Sequence, residues 1–273
     1  MAPTDWLALL VLVPLGLLSG FLAGLLGIGG GLVMVPVLLW WLPRQGVPEA
    51  AALHVAVATS LAAIVLTAAM SGWSHARRGA VEWQRLPWLV PALLLGSGLG
   101  SLLVATWSRA ALQLFVAAFC LFAATQMLRG RRAGPSTVPV AQTEPGWMIG
   151  GGGLIGAISA AVGIGGGSLT VPLLHWRGVA LPRAVATSAV CGLPIALAGT
   201  TGYLWQDTVS GTGLLGQGLV AGGPALLLGA ASLLTAPWGA RLTHQWPVQR
   251  IKRIFAGLLL LIGGLLAWRA VMG

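Results

Sequence analysis

The sequence predicts an all-α integral membrane protein made of two inverted repeats. Three observations carry this: an apolar composition, apolar runs of bilayer length, and a doubled glycine motif. Of 273 residues, 57% are hydrophobic and 7% charged, against about 25% charged in a soluble domain. The 15 basic and 5 acidic side chains are too few to cover a water-soluble globule. A mean hydropathy of +0.90 likewise requires an apolar solvent for most of the chain.

A bilayer core of about 30 Å takes about 20 helical residues. Runs of that kind extend over Trp6 to Leu26, Ala50 to Ser71, Leu86 to Trp107, Ala110 to Leu128, Trp147 to Val162, Pro182 to Tyr203, Gly216 to Trp238 and Val248 to Trp268. Two further runs, Leu32 to Leu42 and Ser168 to Trp176, follow glycine-rich breaks, and at about 1.5 Å per residue they reach only about half the bilayer. Each repeat therefore holds about four membrane helices and one half-length helix. All 13 tryptophans lie at or near the ends of these runs, as an interfacial aromatic belt does. The 41 glycines permit the close helix approach that lipid-embedded packing uses.

The repeat is explicit. G-I-G-G-G at Gly27 to Gly31 returns at Gly163 to Gly167, with Pro36 and Pro172 at the same distance downstream. A-T-S at Ala58 to Ser60 returns at Ala186 to Ser188, and P-A-L-L-L-G at Pro91 to Gly96 returns at Pro224 to Gly229. Matches in one order divide the chain into a first repeat at 1–130, a polar cytoplasmic linker at 131–146 and a second repeat at 147–273.

Basic residues set the orientation. If the second repeat is inverted, 12 of the 15 fall inside, namely Arg77, Arg78, Arg85, Arg129, Arg131, Arg132, Arg177, Arg183, Arg241, Arg250, Lys252 and Arg253. Arg44, Arg109 and Arg269 remain outside. Parallel repeats would put the cluster around Arg250 outside, against the positive-inside rule. The expectation is an inner-membrane, multi-pass protein with both termini periplasmic. The net charge of +10 thus serves topology and contact with membrane lipids rather than nucleic acid.

The breaks are the candidate site. Irregular backbone at membrane depth is tolerated where it is buried in protein or lines a cavity. A helix that starts there offers unpaired N–H groups and the positive end of its dipole, and glycine lets a ligand approach them. Two such ends predict a small anionic substrate on Gly29, Gly30, Gly31, Gly165, Gly166, Gly167 and Ser168. Thr59, Ser60, Thr187 and Ser188 are neutral secondary donors in this reading. The alternative is that the glycines serve packing and the hydroxyls bond within the bundle. Thr170 follows the second break, whereas Leu32 and Met34 occupy the matching first-repeat positions, so the site is expected to be asymmetric.

The paired G-x-G-G-G-x-x-x-x-P elements, the A-T-S after each, and the two-repeat organisation resemble the TauE/SafE sulfite exporter family, also called the toluenesulfonate uptake permease family. The resemblance covers nearly the whole chain. It implies a transporter, by the family name an exporter, of small sulfur-containing anions such as sulfite or organosulfonates.

Other classes fit less well. Transport of a carboxylate or another inorganic oxyanion uses the same chemistry. An intramembrane protease is disfavoured because H-E-x-x-H, G-x-S-x-G and paired membrane aspartates are missing, so the chain is not read as an enzyme. A scaffold leaves the two broken helices unexplained. Cys120 and Cys191 lack metal-ligand spacing and read as packing residues, so neither a metal nor another cofactor is expected. The acids Asp5, Glu49, Glu82, Glu144 and Asp207 lie at run ends or in loops, with no carboxylate at the midplane for a proton relay. His54 and His175 lie nearest the short helices, and His175 reads either as a hydrogen-bonded structural group or as a group coupled to transport.

Overall fold

The computed structural model describes residues 10–27, 30–129, 145–207, 209, 212, 215–242 and 248–272. Asp5, Trp6, Gly29, Arg131, Arg132, Glu144, Trp246 and nearly all of the 131–146 linker lie outside them. Ten α-helices are described: α1 (Leu12–Leu26), α2 (Gly31–Trp41), α3 (Glu49–Ala76), α4 (Leu86–Ala105), α5 (Arg109–Arg129), α6 (Pro145–Val162), α7 (Gly167–Trp176), α8 (Leu181–Leu204), α9 (Gly222–Leu242) and α10 (Val248–Met272). Among the described residues there is no strand, only an isolated bridge between Gln217 and Val220.

Local sequence accounts for the boundaries. Pro48 precedes α3, and α4 and α8 carry proline in their first turn, where the missing N–H costs nothing. α1 ends at Gly27 with φ 68°, the left-handed turn that glycine adopts without a Cβ penalty. Gly163 after α6 does the same with φ 75°.

Among the described residues, six segments are long and apolar enough to cross a membrane: Glu49–Ala76, Trp83–Ala105, Arg109–Leu128, Pro145–Val162, Leu181–Leu204 and Gly222–Leu242. Two shorter apolar helical stretches among the described residues, Leu12–Leu25 and Ala256–Ala270, lie in α1 and α10.

The helices of 1–130 and 147–273 interleave. α1 packs on α9 and α6 on α4; α3 packs on α9 and α8 on α4; α3 also packs on α8, and α5 on α10. The short helices lie on their own neighbours, α2 on α3 and α7 on α8. This pairing is unchanged when α1 to α5 are exchanged in order for α6 to α10. Small residues make it possible: a Cβ on Gly24 would run into the Ala236 carbonyl of α9, and one on Gly156 would come 2.7 Å from the Ser97 amide of α4. Apolar attraction between helices is weak in lipid, so close backbone approach supplies the packing energy.

Polar contacts mark the two ends. At one, Arg183 pairs with Glu82 at 2.8 Å, Arg78 donates to the Ala240 carbonyl, and the Arg177 guanidinium lies 4.6 Å from the Trp147 ring centre. At the other, Arg109 approaches Glu49 at 3.6 Å and Arg44 stacks 4.0 Å over Trp40.

Candidate functional site

The described glycines that open α2 and α7 share one backbone conformation. Gly30 before α2 has φ 75° and ψ −11°, and Gly166 before α7 has φ 74° and ψ −11°. At the first break the chain turns back on itself, so that Ser19 of α1 donates from Oγ to the Gly30 carbonyl at 2.7 Å. The breaks also meet: a Cβ on Gly31 would overlap the carbonyl oxygen of Gly163. Gly30, Gly31, Gly165, Gly166 and Gly167 are all buried, whereas Gly29 lies outside the described residues.

The A-T-S hydroxyls tie the halves together crosswise. Ser60 Oγ donates toward the Val57 carbonyl at 2.8 Å and toward the Gly163 carbonyl of the second break at 3.0 Å. Ser188 Oγ does the same toward Val185 at 2.8 Å and, across to the first break, toward Gly27 at 3.4 Å. Thr59 Oγ1 accepts from the Ala221 amide at 3.0 Å, just before α9. Thr187 Oγ1 accepts from the Glu82 amide at 2.9 Å, before α4, and donates to the Arg183 carbonyl at 2.8 Å. All four side chains are fully buried. A buried carbonyl at a broken helix needs such a partner, because leaving it bare costs about 1–3 kcal/mol.

Other hydroxyls lack such partners. Ser71, Ser159 and Ser168 Oγ and Thr170 and Thr200 Oγ1 are buried with no hydrogen-bond partner among the described residues. Ser159 and Thr170 face the second break: an ideal Cβ on Gly166 would stand 3.4 Å from Ser159 Oγ and 3.5 Å from Thr170 Oγ1. Sequence reasoning missed Ser19, Ser71 and Ser159. At the spacing that aligns the two motifs, Ser159 matches Ala23 and Ser19 matches Ile155, so a search for repeated residues passes over them. A hydroxyl near a glycine break on only one side was the available signal.

Two cavities adjoin the breaks. One, of about 10 Å³, is lined by Gly27, Ser71, Gly165, Ser188 and Gly192 among others, roughly the space of one water molecule. The other, of about 200 Å³, is walled by residues that include Leu32, Pro36 and Trp40 on α2, Cys120 on α5, Val162 beside the second break, and Arg269 on α10. Its lining joins residues next to both breaks to a cation at one end of the bundle.

His175 Nδ1 lies 3.0 Å from the Val179 carbonyl, and His54 is buried. Cys120 and Cys191 are buried free thiols. Among the described residues no cluster of three or more His, Cys, Asp or Glu could hold a metal ion.

Known proteins give this geometry its context. The family model described as "Sulfite exporter TauE/SafE" matches residues 12–266. A protein of Haemophilus influenzae named "Probable membrane transporter protein" is 34% identical over 258 residues, covering 93% of this chain and 96% of that protein. A probable membrane transporter protein of Methanocaldococcus jannaschii is 28% identical over 205 residues, 73% of this chain and 75% of the other. YunE of Bacillus subtilis, also named a probable membrane transporter protein, is 24% identical over 291 residues, 97% of this chain and 99% of the other. No solved structure matches the chain. This chain belongs to the TauE/SafE sulfite exporter family, and it is a multi-pass membrane transporter.

Proposed function

We propose that this transporter exports a small sulfur-containing anion, sulfite or an organosulfonate, across the inner membrane, and that the anion is held between the two glycine breaks. The observation that carries this reading is the meeting of two breaks with the same backbone, one from each half, each opening a helix. The N-terminal ends of α2 and α7 present unpaired amides and together the equivalent of about one positive charge. That favours an anion without a buried cation and disfavours a cation by a similar amount.

The residues divide the work. The amides of Gly30, Gly31, Gly165, Gly166 and Gly167 are the groups offered to the anion in this reading; Gly29, also expected from the sequence, lies outside the described residues. Ser60 and Ser188 hold the carbonyls of Gly163 and Gly27, which keeps acceptor oxygens engaged away from a negative ligand. Thr59 and Thr187 anchor the chain entering α9 and α4, and the Thr59 proton is available as a further donor. Ser168 adds a hydroxyl in the first turn of α7. The cavity of about 200 Å³ that reaches Arg269 supplies an approach from one face, where the guanidinium raises the local concentration of anions. With space for about one water between the breaks, this conformation is closed around them, and transport alternates between states that open the breaks to either side.

In this reading the repeats 1–130 and 147–273 are inverted, the linker is cytoplasmic and both termini are periplasmic. Cysteine labelling from the periplasmic side is expected to modify Asp207→Cys and spare Ser136→Cys; the reverse pattern would remove the inversion. The function itself is tested with purified protein in liposomes. Saturable sulfite flux that thiosulfate or methanesulfonate inhibits is expected. Flux of a carboxylate such as acetate in their place would reassign the substrate, and flux of none would end the reading.

A further inference from the structure

We propose that the anion held between the breaks is gripped chiefly from the second, in a seat made by Gly166, the hydroxyls of Ser159 and Thr170 and the opening amides of α7, and that this seat selects oxyanions. The inference deepens the anion-transport reading above and rests on it. Its basis is a difference between two breaks that share a backbone.

At the second break two fully buried hydroxyls stand on either side of Gly166 with no hydrogen-bond partner among the described residues. Some helical threonines turn back on their own helix, as Thr67 donates to Ala63, Thr187 to Arg183 and Thr201 to Leu197, whereas Thr200 has no partner among the described residues. Thr170 does not turn back either: four residues before it stands the left-handed Gly166, whose carbonyl already accepts the amides of Leu169 and Thr170. Ser159 is held in place by its own carbonyl, which accepts the amides of Gly163 and Ile164 at 3.0 Å each. Burying a hydroxyl without a partner disfavours folding, so two of them aimed at one helix start call for a ligand that accepts hydrogen bonds. The helix start adds the positive end of its dipole.

The first break has no such seat. Ser19 already donates to the Gly30 carbonyl, and Ala23 and Met34 occupy the positions of Ser159 and Thr170. Over the second seat lies the Cδ1 methyl of Ile195, where a Cβ on Gly166 would collide with it. That methyl ends a flexible side chain one residue after Pro194, which lies inside the continuous α8; in this proposal the seat opens when the methyl moves aside. Two hydroxyls and several amides diverging around one point suit a group with more than one acceptor oxygen and suit chloride less well.

Sulfite and chloride binding to the purified, detergent-solubilised protein tests this, with thermal unfolding measured alongside. Wild type is expected to bind sulfite saturably and more tightly than chloride. Ser159→Ala and Thr170→Val are each expected to weaken sulfite binding about tenfold, about 1.4 kcal/mol, without lowering the ligand-free melting temperature. Ser159→Thr and Thr170→Ser, which keep the hydroxyls, should retain affinity. Ser19→Ala should lower the ligand-free melting temperature and spare affinity. Unchanged sulfite affinity in Ser159→Ala and Thr170→Val would overturn the seat and leave the transport reading standing. A ligand-free destabilisation by either would also overturn it, since the hydroxyl would then have a structural partner. Wild type that binds none of sulfite, thiosulfate, methanesulfonate and chloride would overturn both.

Discussion

The first and second breaks have the same five residues, the same left-handed glycines and the same downstream proline, yet their surroundings differ. Around the first, Ser19 is in use on Gly30 and Ser188 on Gly27, while Ser71, which lines the small cavity with Gly27 and Gly165, has no partner among the described residues. Around the second, Ser60 is in use on Gly163, while Ser159, Ser168 and Thr170 are not. The motif therefore specifies a backbone, and residues outside the motif specify its chemistry. In a bundle of exchanged halves, one break is built as a joint and the other keeps polar capacity in reserve.

The comparison breaks most completely at the contact between the two breaks. Gly31→Ala would drive a methyl into the Gly163 carbonyl, a backbone atom that cannot step aside, and a loss of more than about 3 kcal/mol is expected. Thermal unfolding of the solubilised protein checks it; an unchanged melting temperature would mean that the breaks do not touch. Gly30→Val and Gly166→Val are poorer probes, since φ near 75° strains any side chain at those positions.

The serine crosslinks come next. Ser60→Ala and Ser188→Ala each deprive a break carbonyl of its crosswise partner, and about 1–3 kcal/mol is expected. Ser60→Ala should cost more, because its bond to Gly163 is 3.0 Å and that of Ser188 to Gly27 is 3.4 Å. A larger loss at Ser188 would reverse the ranking of the two joints.

Thr59→Val and Thr187→Val remove the acceptors of the Ala221 and Glu82 amides. About 1 kcal/mol is expected for each. Similar values, read from the same melts, would establish that these two links are equivalent while the breaks beside them are not. The smallest effect is expected for Gly264→Ala, whose added methyl meets nothing within 4 Å; it should stay within about 0.5 kcal/mol.

The helices and both breaks were legible in the chain itself. Hydropathy over some twenty residues reports the solvent a segment needs, and a glycine cluster between two apolar runs reports where the helix stops. These are local properties, and the ten described helices follow them closely. The duplicated Thr59-Ser60 and Thr187-Ser188 were legible as a pair, but their use as crosswise ties between halves was not.

The sequence by itself determined the membrane as solvent, the positions of ten apolar helices and the two equivalent interruptions, because each depends on neighbours within a few turns. Only the tertiary structure decided that α1 packs on α9 and α6 on α4, that the breaks touch, and that Ser159 and Thr170 flank Gly166 while Ser19 closes over Gly30. Those outcomes depend on which helix faces meet at backbone contact distance. That is set by small residues far apart in the chain, and no local pattern encodes it.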